Sequence, residues 1–575
     1  MFTLDYIVIL LYFLGLIAVS LIMSRKIKSS EDMFIAGRNS SWWLSGVSSY
    51  MTIFSASTFV VWGGVAYKSG LVAVVIAMTL GVASLIVGKW ISGRWRALSI
   101  KSPGAFLSVR FGHATVSFYT ISGIIARAVH TAVALYAVAV VLCGVTGINI
   151  WWALLILGGI TLVYTIAGGF LAVLMTDVIQ FGVLLAVVVF MIPLSFHAVG
   201  GVESFIGKAS QIPGFFSGTS ATYNWVWMVL WLILNIGMIG GDWPFVQRYI
   251  SVPTVRDARR STYLIGILYF LTPLIWYLPT MICRVMEPGL ALDADAATMT
   301  YNGEHAYINM SKTVLMPGMV GMMLAAMLSA TLSNVSGILN VFANVYTYEI
   351  WGHREKNREA EERKRIRVGR LFTLVFGLTI IGLSMLIPFA GGAEKVVVTL
   401  LTLVMCPLYI PSIWGLFSKR LSGRQLIWTM LSTWAVGITA RLAIPSDIIA
   451  GSMIDSIAGG VLPILILAVL EIYSKVRGIT RPEAVALAAM TDSNADKEPD
   501  SKIKKATKNY SKMAVTCFCI TIGVIALLLT GLLLAGEQKT IEVKGIVVGF
   551  ITAILIIISA YAVYLIIDKK KNECR

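Results

Sequence analysis

Charge is what this sequence has least of: Asp, Glu, Lys and Arg together make up 13% of its 575 residues. A soluble globular domain carries roughly 25%, because its surface must stay hydrated. With 57% hydrophobic residues and a mean hydropathy of +0.82, most of this surface has to face an apolar solvent. That solvent is a lipid bilayer. Acidic residues are the scarcer sign, 29 against 46 Lys and Arg, which leaves a formal charge of +17. A basic surplus can mark a nucleic-acid binder. Here, however, the basic residues fall in alternate loops between apolar runs, the positive-inside pattern of a membrane topology, so no nucleic-acid partner is expected. Histidine is rare, five in all and well scattered, which argues against a membrane enzyme with converging His and carboxylate groups. The six cysteines (Cys143, Cys283, Cys406, Cys517, Cys519 and Cys574) show no metal-ligand spacing and imply no disulfide framework. Those in or beside apolar runs read as small core residues.

Long apolar runs are abundant. A span needs about 20 mostly apolar residues, and fifteen runs qualify, the first centred near Leu14 and the last near Ile554. The first is followed, not preceded, by Arg25 and Lys26, which reads as a retained helix rather than a cleaved signal. Loops 24–40, 89–112, 247–260, 352–370, 418–424 and 474–512, with the tail 568–575, hold most of the Lys and Arg. They are expected inside, and loops 199–224 and 287–313 outside. This places the N-terminus outside and the C-terminus in the cytoplasm of a bacterial-type plasma (inner) membrane. The charge run 352–370 reads as a solvated surface helix, and 479–512 as a polar, partly disordered linker.

Two runs carry more polarity than a plain membrane helix. SGVSSYMTIFSASTFVVWGGVAYKSG, residues 45–70, places Ser48, Ser49, Thr52, Ser55, Ser57 and Thr58 in mid-crossing, then Gly63 and Gly64. Small and hydroxyl residues can simply allow close helix packing. The alternative is a discontinuous helix whose freed carbonyls bind a cation near the midplane. In residues 321–348, Ser329, Ser333, Ser336, Asn340, Asn344 and Thr347 recur at steps of three or four, one helical stripe. Such a stripe must face protein or water, and its hydroxyl and amide oxygens suit a hard cation. Asp177 sits in an apolar run with no Lys or Arg nearby in sequence, a functional candidate by default; the plainer reading is an interfacial aspartate near a helix start. Asp242 lies near Gln247 and Arg248 and reads as an ion pair or cap. Arg127 and His130, on one run, read as packing or polar-network residues.

At these residues the sequence resembles the sodium/solute symporter family, which includes sodium–glucose and sodium–proline cotransporters. The motifs, in order, are DMFIAGRNSSWW, FSASTFVVWGGVAYKSG, GGFLAVLMTDVIQ, GGDWPFVQRYISVPTVRDARRS, LMPGMVGMMLAAMLSATLSNVSGILN and GLFSKRLSG, over residues 30 to 425. The resemblance implies an all-α polytopic protein with a five-plus-five inverted-repeat (LeuT-type) core. One leading helix (within 1–40) precedes repeats at 41–199 and 225–417, joined by an extracytoplasmic loop, 200–224. Trailing helices (418–478), a cytoplasmic linker (479–512) and two C-terminal helices with a basic tail (513–575) follow. It implies co-transported sodium, held by the carbonyls of Met51, Phe54 and Ala330 and the hydroxyl of Ser333, with Asn334 standing where the family has a hydroxyl. Some members hold a second sodium, for which Asp177, Ser333 and Ser336 match; a further serine position is Gly337 here. The familiar sugar-site set is mostly replaced: the corresponding positions are Ser57, Thr58, Ala77, Leu80 and Thr399, and Asn235 matches. The expected activity is sodium-coupled symport of a small organic solute by alternating access, a sugar or sugar-derived or organic acid being favoured, with no enzymatic step and no obligatory protein partner. Proton coupling through Asp177, an amino-acid cargo, or a transporter-like sensor are the rival readings.

Overall fold

The computed structural model of the chain describes residues 3–25, 27, 29–56, 58–286, 296–351, 359–387, 400–444, 451–495, 497–535 and 561. Every regular element among them is helical. A bilayer forces this outcome, since backbone N–H and C=O groups in hydrocarbon must be satisfied within the segment. Nine of the described helices are long and apolar enough to cross, and eleven spans result when each of two bent pairs counts as one. Fourteen of the fifteen expected runs fall on helices. The run near Ile554 lies outside the described residues apart from residue 561.

A leading helix α1 (Thr3–Ser24) precedes the core. The first repeat comprises the bent pair α2 (Trp42–Ile53) and α3 (Thr58–Ser69), then α4 (Val72–Trp90), α5 (His113–Thr146), α6 (Ile150–Ile166) and α7 (Gly169–Val199). The second comprises the bent pair α8 (Trp225–Gly241) and α9 (Trp243–Ser251), then α10 (Val255–Met286). After α11 (Ala296–Val314), which lies between spans, come α12 (Met319–Trp351), α13 (Glu359–Leu386) and α14 (Leu403–Phe417). Each repeat thus opens on a broken helix, bent by 67° in the first and 48° in the second. Trailing helices α15 (Gly423–Ala443), α16 (Met453–Val476), α17 (Pro482–Asn494) and α18 (Ser501–Ala535) follow.

The breaks have local causes. At Phe54 the backbone is extended (φ −69°, ψ 135°), ending α2. At Asp242 it is extended again (φ −71°, ψ 131°), and Pro244 opens α9, where its missing N–H is no loss. Between α6 and α7, Gly169 adopts φ 58°, ψ −163°, a region only glycine occupies comfortably. A Cβ there would also come 2.9 Å from the Met33 carbonyl.

α12 forms the axis: it is almost wholly buried, whereas most of α1 is not. The polar stripe is therefore enclosed by protein, and Ser329, Ser333, Ser336, Asn340, Asn344 and Thr347 are all buried. α1 fixes the start of this axis. The Asp5 carboxylate accepts hydrogen bonds from the Gly318 and Gly321 N–H groups at 2.6 and 2.8 Å, capping α12 from another helix. Asp5→Ala is expected to lower stability by about 1–2 kcal/mol, read as a lower thermal midpoint in detergent, and Asp5→Asn by less.

One expectation needs correction. The segment 479–512 is largely helical: α17 and the first turns of α18 fill most of it. Its charge had suggested a linker, but Pro482 at the first turn and the Ala-rich run behind it favour helix. The described part of the charge run, 359–370, is helical as expected and forms the opening of α13; residues 352–358 lie outside the described residues.

Candidate functional site

Where α2 ends, the chain turns against α12. The Phe54 N–H bonds the Met51 carbonyl at 3.1 Å, and the Thr58 N–H bonds the Ser55 carbonyl at 2.9 Å. Between them, the Ala56 N–H donates to Thr331 Oγ1 of α12 at 2.7 Å, which pins the break to the axis. Of the sequence-expected cation ligands, Met51 and Phe54 stand at this break, and Ala330, Ser333 and Asn334 stand on the facing stretch of α12, all buried. Asn334 lines the same cavity as Thr52, Phe54 and Ser55. The Ser333 hydroxyl is turned sideways and donates to Asp177 Oδ1. Its oxygen keeps lone pairs for another partner. Thr331 was not singled out from sequence, because it lies off the three-and-four-spaced stripe.

Asp177, on α7, is fully buried and sits in a closed polar cluster. Ser333 donates to its Oδ1 and Ser48 to its Oδ2. Arg248 of α9, also fully buried, donates to the same Oδ2 from Nη2 at 3.2 Å and to Ser48 Oγ from Nε at 2.7 Å. Its Nη1 bonds the Pro244 carbonyl at 2.9 Å. Asp177 and Ser333 are thus brought together as expected, and Ser48 joins them. Ser336 is on the same stripe, but its hydroxyl bonds back to the Ser333 carbonyl at 2.9 Å. The cluster ties four helices, α2, α7, α9 and α12, drawn from both repeats.

Asp242 does not pair with its neighbour Arg248. Its partner is Arg127 of α5, a buried ion pair whose guanidinium also donates to Tyr409 Oη at 2.6 Å. The break at Asp242 turns α9 so that Arg248 and Asp242 point to different clusters. Arg127, Asp242 and Tyr409 line a central cavity with a water-accessible volume of about 180 Å³. Its wall includes His130, Thr58, Ala77, Leu80, Asn235 and Asn334, with Trp231, Trp276 and Tyr277. Asn235 is steadied by a 3.1 Å bond from Nδ2 to Thr79 Oγ1. The same three residues, Arg127, Asp242 and Tyr409, also line a smaller cavity with Tyr119 and Phe342, so they form the partition between the two. Ser57 and Thr399 lie outside the described residues.

Two broken helices at equivalent places in inverted repeats, meeting at a central cavity with a few polar groups in a mostly apolar wall, define a secondary transporter of the alternating-access class. The chain belongs to the sodium:solute symporter family, whose model matches residues 33–433. It is 25% identical over 461 residues to the sodium/sialic acid symporter of Aliivibrio fischeri, covering 77% of this chain and 88% of that one. It is 24% identical over 480 residues to the human sodium/myo-inositol cotransporter 2, covering 76% of this chain and 69% of that one. The mouse sodium/glucose cotransporter 1 is 24% identical over 480 residues, covering 76% and 71%. Among solved structures, a substrate-bound, outward-open Na⁺-coupled sialic acid symporter matches with a TM-score of 0.67 at 23% identity, covering 81% of this chain and 98% of that one. The LeuT-type fold is thereby established, sodium is the co-transported ion, and a small solute is the cargo of this multi-pass membrane protein.

Proposed function

We propose that the chain carries a sugar or sugar-derived acid into the cell, one solute at a time, driven by the sodium gradient. The observation that carries the cargo reading is the makeup of the central cavity. Aromatic side chains (Trp231, Trp276, Tyr277) line it beside hydroxyl and amide groups (Thr58, Asn235, Asn334) and a self-neutralised Arg127–Asp242 pair. Aromatic faces suit the C–H side of a sugar ring. The donors and acceptors suit its hydroxyls, and Arg127 with His130 offers contacts to a carboxylate. The sialic acid, inositol and glucose specificities of its relatives point the same way.

Sodium entering from outside takes the carbonyls of Met51, Phe54 and Ala330, the Ser333 hydroxyl and the Asn334 amide. That holds the α2–α3 break against α12 and orders the Thr58 edge of the cavity. Each ligand then raises the other's affinity by the same factor. With the N-terminus outside, the Arg127–Asp242–Tyr409 partition lies on the cytoplasmic side of the cavity, in the solute's path. Opening inward requires that partition to part. The membrane potential adds about 2.3 kcal/mol per charge per 100 mV.

Proton coupling through Asp177 is not adopted, because the Arg248 guanidinium already answers that carboxylate. A thermal-shift screen of glucose, myo-inositol and N-acetylneuraminate, in sodium and in potassium, tests the cargo. At least one is expected to stabilise the protein in sodium only; stabilisation by amino acids and by none of these three would overturn the reading. Thr331→Val should weaken the hold on Ala56 and raise the sodium level for half-maximal uptake about fivefold, the equivalent of about 1 kcal/mol. Sodium titration of uptake in proteoliposomes measures it.

A further inference from the structure

The Asp177 cluster lies where some relatives are expected to hold a second sodium, and in this chain it already contains a cation. We infer that the Arg248 guanidinium is the resident cation of that cluster, so that the chain binds one sodium ion rather than two; this rests on the sodium-coupled reading above.

Charge is the first argument. Asp177 and Arg248 side chains are both fully buried and oppositely charged, so the cluster is neutral as it stands. A metal ion added beside them would leave a net positive charge with no water to screen it, which a buried site strongly disfavours. Oxygen supply is the second. Asp177 Oδ2 accepts from both Ser48 and Arg248, and Oδ1 accepts from Ser333. The Ser48 oxygen itself accepts from Arg248 Nε at 2.7 Å, so each of these oxygens already has a donor.

Space is the third. Gly337 stands at the further serine position, and a Cβ there would lie 3.4 Å from Arg248 Nη2 and 3.9 Å from Nη1. The guanidinium packs in van der Waals contact with the position from which that serine would project. It is also held from behind, by the Pro244 carbonyl at 2.9 Å and the Phe170 ring, whose centroid is 5.7 Å from Cζ. Three features agree: counter-charge, oxygens that already accept a donor, and no side chain at Gly337.

Asp177 then becomes a positioning residue rather than a metal ligand. By accepting the Ser333 proton it fixes that hydroxyl's orientation and leaves the oxygen's lone pairs for the ion at the α2–α3 break.

The test counts sodium ions on the purified full-length chain in lipid nanodiscs, using radioactive sodium binding at saturation. One ion per chain with a Hill coefficient near 1 is expected. The charge-neutral double variant Asp177→Asn/Arg248→Gln should still bind one, several-fold more weakly. Two ions on the wild-type chain would overturn the inference while leaving sodium coupling intact. Loss of the single ion from a folded, monodisperse double variant would overturn it as well, because the ion would then sit at Asp177. No sodium binding at any concentration would overturn the sodium-coupled reading itself. Should the double variant fail to fold, the wild-type count decides.

Discussion

Arg248→Met is expected to be among the most damaging single substitutions in the transport core, lowering stability by about 3–5 kcal/mol. Methionine is close in length and apolar, so packing changes little, but Asp177 loses its counter-charge while Ser48 loses a donor. Both partners are fully buried, so water cannot compensate. Asp177→Asn should cost a similar amount, since it strands the guanidinium instead. Removing both charges together, in Asp177→Asn/Arg248→Gln, should restore at least half of either single loss, because no buried charge is then unpaired. Thermal unfolding of the four proteins in one detergent closes the cycle. Additive losses in the double variant would show that the two side chains are not coupled.

Ser333→Ala has the largest expected effect on sodium itself. The substitution removes a hydroxyl from the proposed sodium shell and, at the same time, a hydrogen bond to the buried Asp177 carboxylate. Hydrogen bonds to charged groups are worth about 1.5–3 kcal/mol, so the sodium concentration for half-maximal uptake should rise about 10- to 100-fold. Ser336→Ala is the internal control. That hydroxyl bonds back to the Ser333 carbonyl rather than to Asp177, and its removal should shift sodium dependence less than about threefold, under 1 kcal/mol. Equal effects from the two alanines would mean that the stripe acts by packing alone.

What the sequence made legible, and what it hid, follows from distance along the chain. The hydroxyl-rich interruption at residues 45–58 and the stripe on α12 are local patterns, and helical periodicity reads them directly. The resemblance of ordered motifs supplied the repeat architecture, which periodicity cannot. Asp177 stood out because a carboxylate in an apolar run is costly. Its partner did not, because Arg248 is 71 residues away, past a second helix break. The same break misled the reading of Asp242. Nearness in sequence suggested Arg248, whereas the extended backbone at Asp242 separates the two, and Arg127, 115 residues earlier, takes the place. Thr331 escaped notice because its role depends on which face of α12 meets the break, a tertiary fact. The helical course of α17 was readable from Pro482 and its alanines, but the high charge of the segment spoke louder.

A sodium gradient, acting through the oxygens proposed at the broken first core helix, is expected to drive solute inward. Uptake of a sugar or sugar acid found by thermal shift, into proteoliposomes of the purified chain, tests it most directly. Accumulation above the external level is expected with an inward sodium gradient, and only equilibration with potassium in its place. Accumulation driven by a pH gradient with no sodium on either side would contradict it.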